Sequence, residues 1–276
     1  MKNILSFDIE EHFQVSGLAA AINRDQWDTF PSRVERNTLK VLDILERHKV
    51  KATFFVLGWI AERHSKLIEE IDKEGHEIAN HGYDHKLVYD MTVEQFIEDV
   101  KRTDSLLEGI TRKKILGYRA PSFSLGAADN DKFNGLIELG YKYDSSLFPM
   151  KHFRYGEAQS VPLSPFDIVA NERRRLREFP MTVIDFLGRR IPGGGGGYFR
   201  LYPDFFLKRN IKKVCAEGRP SIIYLHPWEF DPDQPRVKGA GFGNTFRHYV
   251  NLKKTENKLS LVLREFEFGP FRDFLN

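Results

Sequence analysis

The feature that most constrains this chain is the placement of ionisable side chains at the ends of short apolar segments. These segments alternate with stretches of helical periodicity, a pattern typical of βαβ units in a parallel sheet. Parallel strands direct their carboxyl ends toward one common cleft. The side chains that close or follow the apolar segments are Asp8, Glu10, His81, His85, Arg119, Asp144 and His226. We therefore expect these groups to meet at one edge of a sheet.

The alternation predicts an α/β fold in the form of a closed or nearly closed barrel. We count about five or six βα units, fewer than the eight of a complete (β/α)8 barrel. Residues 1–230 are assigned to the barrel domain, and 231–276 to a C-terminal extension that packs on it. Residues 150–205 break the rhythm with prolines and five successive glycines, so we interpret them as an irregular insertion. Helices are predicted over about 34–45, 60–74, 92–107, 131–139 and 246–252.

Charge and composition exclude several classes of protein. The net charge of the 276 residues is only +3, so no nucleic-acid partner is expected. We interpret the basic run Arg173–Arg175, with Arg177, as an exposed loop or helix face. The single cysteine, Cys215, excludes an intrachain disulfide and reads as a buried apolar residue. No apolar run reaches the length of a membrane span, and the first residues enter a strand directly, so we expect a cytoplasmic protein.

The His-x3-His pair, His81 and His85, is a candidate metal site. Gly82 between them argues for a turn or a helix start, and on the first turn of a helix both rings would point to one side. Two neutral imidazoles and a carboxylate suit Zn²⁺ or a similar divalent ion with an open position for water. The alternative is a pair of surface or helix-capping histidines.

Asp8 and Glu10 are expected on the same side of the first strand, because strand side chains alternate. One carboxylate could bind the metal while the other takes a proton from water. The alternative is an ordinary acidic strand end, to which Glu11 also belongs, and His12 is a weaker candidate ligand.

Single residues elsewhere could complete a hydrolytic site. Arg119 could keep the carboxylate base ionised and oriented, and His226 could protonate a leaving amine. Asp144 beside His226 would raise the pKa of that imidazole. Each of the three has an equally good structural interpretation. The five glycines are either a flexible tether or a loop close to a ligand, and we favour the second because Tyr198 and Phe199 follow them.

The order of the motifs resembles that of the polysaccharide deacetylase family (carbohydrate esterase family 4, the nodulation-factor deacetylase homology domain). The motifs are Asp-x-Glu, His-x3-His, Arg-x-Pro, Asp-Ser-Ser and Leu-His-Pro-Trp-Glu, over roughly residues 1–230. The opening Ser-Phe-Asp-Ile-Glu-Glu-His-Phe and the Gly-Gly-Gly-Tyr-Phe-Arg-Leu segment are similar to one branch, the deacetylases of exosortase-associated exopolysaccharide clusters.

The resemblance implies a distorted, incomplete (β/α) barrel and metal-dependent removal of N-acetyl groups from N-acetylhexosamine units of a glycan. By position, Asp8 matches the base and Arg119 its partner. Asp144 matches the residue that tunes the acid, and His226 matches that acid. The metal would be held by Glu10, His81 and His85, and the expected ion is zinc, with Co, Ni, Mn or Fe as alternatives. The backbone N–H near Ser122 matches the oxyanion donor, and the substrate would also contact Tyr198, Phe199, Tyr224 and Trp228.

Three departures from the family pattern concern the substrate more than the reaction. The acidic pair is spaced by Ile9 instead of adjacent, Ser122 stands where an aromatic residue is usual, and Tyr224 stands where an apolar residue is common. Two other functions therefore remain open: hydrolysis of a small amide on the same barrel, and glycan binding without catalysis.

Overall fold

The computed structural model describes residues 1–150, 161–171 and 174–275 and contains one large curved sheet with helices on its outer face. The large sheet is formed by β1 (Asn3–Ile9), β2 (Thr53–Val56), β3 (Glu77–Asn80), β4 (Gly117–Tyr118), β5 (Tyr143–Asp144), β6 (Phe166–Asn171), β7 (Arg174–Glu178), β10 (Ile222–Leu225) and β11 (Phe268–Gly269), while β8 (Val183–Phe186) and β9 (Arg189–Pro192) form a separate hairpin. The helices are α1 (Val34–His48), α2 (Gly58–Arg63), α3 (Ser65–Lys73), α4 (Val93–Thr111), α5 (Asn130–Leu139), α6 (Gly196–Leu201), α7 (Asp204–Ala216), α8 (Phe242–Tyr249) and α9 (Thr255–Glu265).

The sheet is an incomplete barrel, as the alternation of segments predicts. Its strands follow the order β10-β1-β2-β3-β4-β5-β7-β6, and β11 pairs with the start of β1. Every pairing is parallel except that of β6 with β7. The carboxyl ends of β10, β1, β2, β3, β4 and β5 consequently lie along one rim.

Strand β1 shows how the sequence directs side chains to the two faces of the sheet. Its alternate residues Leu5, Phe7 and Ile9 are fully buried in the core between the sheet and the helices. The residues between them point inside the barrel, where Ser6 and Asp8 both contact Arg119. Asp8 therefore points into the barrel at the rim, because its neighbours Phe7 and Ile9 on the other face pack against the helices.

Local signals place several helix ends correctly. Thr92 accepts a hydrogen bond from the backbone N–H of Gln95, whose side chain bonds back to Thr92, so the predicted capping box starts α4. Gly140 ends α5 with φ of 92°, a left-handed conformation that glycine adopts without strain. Residues 60–73 are helical as predicted, except at His64, where the chain breaks and divides the predicted single helix into α2 and α3.

The predicted insertion contains regular structure. Residues 174–178 form strand β7, not a loop or helix face, and Arg175 and Arg177 pair with Asp167 on β6. Arg173 lies outside the described residues. Further along, the glycine run leads directly into α6.

The C-terminal extension contributes to the sheet as well as covering it. Phe268 of β11 pairs with Asn3, and Phe271 is fully buried inside the barrel against Phe55 and Tyr143. The last predicted helix begins earlier than expected, at Phe242. Among the described residues, no helix combines the length and apolarity needed to cross a bilayer.

Candidate metal and active site

A cavity of about 320 Å³ opens at the rim formed by the carboxyl ends of the strands. Of the residues predicted to build a site, the cavity is lined by Asp8, Glu10, His81, His85, Ser122, Tyr198, Tyr224, His226 and Trp228. Arg119 is fully buried directly behind Asp8. Phe199 is also fully buried, in the core below the glycine run, so the prediction that it contacts the substrate is wrong.

Glu10, His81 and His85 form a group whose ligand atoms all lie within 4.8 Å of one another. The segment from His81 to His85 is not the start of a helix, which is one of the two structures that the sequence predicts for it. The segment is a loop in which Gly82 and His85 both have left-handed backbones, with φ of 74° and 58°. This loop brings His85 Nε2 to 3.0 Å from Glu10 Oε2.

The donor set fits a divalent cation. Glu10 Oε2 is buried and has no hydrogen-bond partner, although His85 Nε2 is near it, as expected for atoms that face a common ion. His81 Nδ1 lies 2.8 Å from the carbonyl oxygen of Arg119, and donation to it leaves Nε2 free as a ligand. Trp228 Nε1 donates to Glu10 Oε1 at 3.2 Å and orients that carboxylate. A bound ion would supply Lewis acidity toward a carbonyl and toward water.

The protonation states of these groups also favour a cation. Burial disfavours a charged Glu10, but His85, His226 and His81 outweigh it and lower the pKa of Glu10 to about 2. Burial lowers the pKa of His81 to about 4, despite the opposing charge of Asp8. A carboxylate and a neutral imidazole are the forms that bind a metal.

Asp8 divides its two oxygens between Arg119 and the cavity. Oδ1 accepts a 2.7 Å hydrogen bond from Arg119 Nη1, and Oδ2 lies 3.9 Å from both His81 Nε2 and His226 Nε2. Arg119 is itself fixed by Ser6 and Ser145 and stacks over Phe55 at 4.1 Å. Asp8 Oδ2 therefore lies between His81 and His226 and is free to accept a proton, while the Arg119 contact to Oδ1 fixes the carboxylate.

The partner of His226 is Glu229 and not Asp144. His226 Nδ1 lies 2.8 Å from Glu229 Oε1, which also accepts the backbone N–H of His226 at 3.0 Å. Burial favours the neutral imidazole, but Glu10, Glu229 and Asp8 outweigh it and raise the pKa of His226 to about 9. His226 is therefore protonated at neutral pH, with Nε2 directed at the site.

Asp144 has a different environment from the predicted one. Its carboxylate accepts from the backbone N–H and the hydroxyl of Ser146, and it contacts Glu178. Burial raises the pKa of Asp144, and burial together with the Asp144 charge raises the pKa of Glu178 well above its usual range. This pair lies inside the barrel behind the rim, because β5 ends at Asp144 and points its side chain toward β7.

Aromatic rings and glycines form the remaining wall of the cavity. Trp228 stacks between His226, at a centroid distance of 5.1 Å, and His248 of α8, at 4.3 Å. A Cβ on Gly195 would lie 2.1 Å from the ring of Tyr224, so this glycine is required for close packing. Gly196 and Gly197 line the cavity. The run is thus a tightly packed wall and not a tether.

Sequence reasoning missed Glu229, Arg200 and His248. Glu229 carried a readable signal: it stands three residues after His226 across Pro227, the spacing of a capping box, and the structure contains that box on a short 3-10 helix. Arg200 lies in the Gly-Gly-Gly-Tyr-Phe-Arg-Leu segment, where the resemblance gives it no role, and His248 comes from a segment with no motif of its own.

Comparison with known proteins agrees with this architecture. Residues 25–143 match the sequence profile of the family described as polysaccharide deacetylase, and residues 145–276 match a domain of unknown function, DUF3473. A site of carboxylates and histidines at the rim of a curved sheet is what the resemblance to these deacetylases predicts. Residues 25–143 therefore carry a polysaccharide deacetylase domain of the carbohydrate esterase family 4 type.

Individual relatives differ in what they share with the chain. A Bacillus cereus peptidoglycan-N-acetylglucosamine deacetylase is 37% identical over 86 residues, which are 31% of this chain and 29% of that enzyme. A polysaccharide deacetylase-type structure from Mycobacterium smegmatis superposes over 100% of this chain and 90% of its own, with a TM-score of 0.64 and 17% identity. The allantoinase PuuE covers 99% of this chain and 88% of its own, with a TM-score of 0.62 and 15% identity. At these identities the two structures establish the fold alone.

Proposed function

We propose that the protein is a metal-dependent N-deacetylase that hydrolyses the acetamide of N-acetylhexosamine units in an exopolysaccharide or its lipid-linked precursor. The observation that carries this proposal is the position of Asp8 Oδ2, 3.9 Å from His81 Nε2 on one side and from His226 Nε2 on the other. A base between a metal donor and a protonated imidazole is what hydrolysis of an amide needs.

The residues divide the reaction between them. Glu10, His81 and His85 would hold the ion, for which zinc is the proposed identity because the donors are two imidazoles and one carboxylate. Asp8 would take the proton of the attacking water, while Arg119 holds its second oxygen. His226, protonated at neutral pH, would give its proton to the amine that leaves.

The cavity wall is suited to a sugar. Tyr198, Tyr224 and Trp228 offer aromatic faces beside the site, and Ser122 lies at the same wall with its hydroxyl 2.7 Å from that of Ser16. We propose an exopolysaccharide substrate on the basis of the branch-like motifs, and a cytoplasmic location, which cell fractionation with an epitope-tagged chain would test.

The test is acetate release by the zinc-loaded protein from a panel of N-acetylated glycans, with Asp8→Asn as the matched inactive variant. Release by the wild type alone supports the proposal. No release above Asp8→Asn across the panel overturns it.

Hydrolysis of a small amide is the second candidate, because a cavity of about 320 Å³ is at the lower end of the range of ligand pockets. Turnover of allantoin or formamides, without turnover of glycans, would establish this function. Sugar binding that persists in His81→Ala without any hydrolysis would instead identify a glycan-binding module.

A further inference from the structure

Arg200 is a fully buried cation to which the sequence motifs assign no role. It follows the glycine run in α6 and is 1% exposed. Its Nε donates to Glu229 Oε2 at 2.5 Å, on the carboxylate oxygen opposite the one that holds His226. An isolated buried guanidinium is costly, so a position of this kind persists only where its donors are matched.

The rest of the guanidinium is bonded to the end of α8. Its Nη atoms donate to the carbonyl oxygens of Arg247, His248 and Val250, at 2.9, 3.0 and 2.5 Å. Arg247 and His248 belong to the last turn of α8 and Val250 is its C-cap. Carbonyls at this end have no intrahelical partner, and a positive charge beside them is favourable. Arg200 thus connects the C-terminus of α8 to Glu229.

Helix α8 returns to the site by a second route. His248 is on α8 and stacks on Trp228, which stacks on His226 and donates to Glu10. His226 is consequently fixed twice, by the Glu229 hydrogen bond and by the aromatic stack, and both contacts lead to Arg200.

We propose that Arg200 is a positioning residue for the general acid: it holds Glu229 and α8 in one rigid unit that sets the direction of the His226 ring. This inference rests on the proposed function, because it assigns His226 the role of acid. It also gives the segment matched to the domain of unknown function a share in the active site, since Arg200, Glu229 and α8 all lie within residues 145–276.

The test compares Arg200→Met with Arg219→Met in the full-length, zinc-loaded protein. Arg219 is a matched control: it is 4% exposed, pairs with Glu217 and donates to the carbonyl of Val183, and it does not line the cavity. We expect Arg200→Met to lower kcat by about 10–100-fold, the usual effect of losing a supporting contact, with KM changed less than about two-fold. Arg219→Met should lower the melting temperature but leave kcat near the wild-type value.

A second readout does not depend on catalysis. In ¹⁵N-histidine-labelled protein, the proton on His226 Nδ1 should give a downfield resonance, assigned by its loss in His226→Gln. We expect this resonance to broaden or shift in Arg200→Met, to return in part in Arg200→Lys, and to persist in Arg219→Met. If Arg200→Met does not fold, Arg200→Lys carries the comparison, because its ammonium retains the charge but cannot make all four contacts.

The outcomes separate the two proposals. An unchanged His226 resonance and an unchanged kcat in a folded Arg200→Met protein, or in Arg200→Lys where the methionine variant does not fold, would show that Arg200 only stabilises the fold and would overturn the inference. A wild type that releases no acetate, but whose His226 resonance depends on Arg200, would overturn the assignment of the reaction while leaving the positioning contact in place.

Discussion

The proposed base, Asp8, and the proposed acid, His226, are each supported by a buried arginine, but the two supports are built differently. Asp8 is bonded directly to Arg119, and both residues stand at the ends of parallel strands. His226 is bonded to Glu229, and only Glu229 is bonded to the arginine, which comes from helix α6. Sheet geometry therefore fixes the base side, whereas packing among a 3-10 helix, α6 and α8 fixes the acid side.

The largest expected effect distinguishes the base from the metal ligands. We expect Asp8→Asn to lower kcat by about 10²–10⁴-fold, because the proton acceptor is lost, while zinc affinity is retained. His81→Ala should lose both activity and zinc. Zinc affinity measured by competition with a chelating dye, together with kcat, checks this prediction. Equal loss of zinc in both variants would make Asp8 a ligand and not the base.

The next effect tests which carboxylate supports the acid. Glu229→Gln should lower kcat by about 10–100-fold, the cost typical of a supporting partner. Glu229 contributes to the raised pKa of His226, about 9, so its loss lowers that pKa and moves the alkaline limb of the rate profile to lower pH. Asp144→Asn should leave this limb in place. If the alkaline limb moved further in Asp144→Asn than in Glu229→Gln, the assignment of Glu229 as the partner of His226 would be contradicted.

The sequence reveals the features of the site that follow from local patterns, but not those that depend on contacts between residues far apart in the chain. The period-2 pattern of β1 places Asp8 inside the barrel, and the parallel strand ends bring Arg119, which follows β4, to the same rim. Contacts between distant segments determine the features that the sequence does not reveal. These are the left-handed backbone of His85, the break at His64 near Ser32, and the pairing of β11 with β1. The prediction that Asp144 is the partner of His226 is wrong because a residue at a strand end can also point along the barrel interior, where Asp144 contacts Glu178.

A third prediction concerns that buried pair and stability. The pKa of Glu178 is raised well above its usual value, so the folded protein keeps a proton that the unfolded chain releases above about pH 4.3. The contribution of Glu178 to the free energy of unfolding is fully present below that pH. It is lost as the pH rises toward the pKa of Glu178 in the folded protein, by up to about 1.4 kcal/mol per pH unit. Glu178→Gln cannot ionise, so its melting temperature relative to wild type should increase from pH 4 to pH 8. A constant difference would mean that the proton is not held.

The smallest effects test the packing of the glycine wall. Gly195→Ala should destabilise the protein by about 1–3 kcal/mol, because the new Cβ meets the Tyr224 ring. Gly109→Ala is the control: it lies in α4 with nothing within 4 Å, so it should stabilise by about 0.5–1 kcal/mol. Chemical denaturation measures both, and equal free energies of unfolding would show that the run tolerates side chains.

A crystal structure of the zinc-loaded protein tests the central claim most directly. We predict one ion at about 2.0–2.2 Å from Glu10, His81 and His85, with Asp8 outside the coordination sphere on Arg119 and His226 on Glu229. An ion bound elsewhere, or one that takes Asp8 as a ligand and leaves Glu10 free, would contradict it.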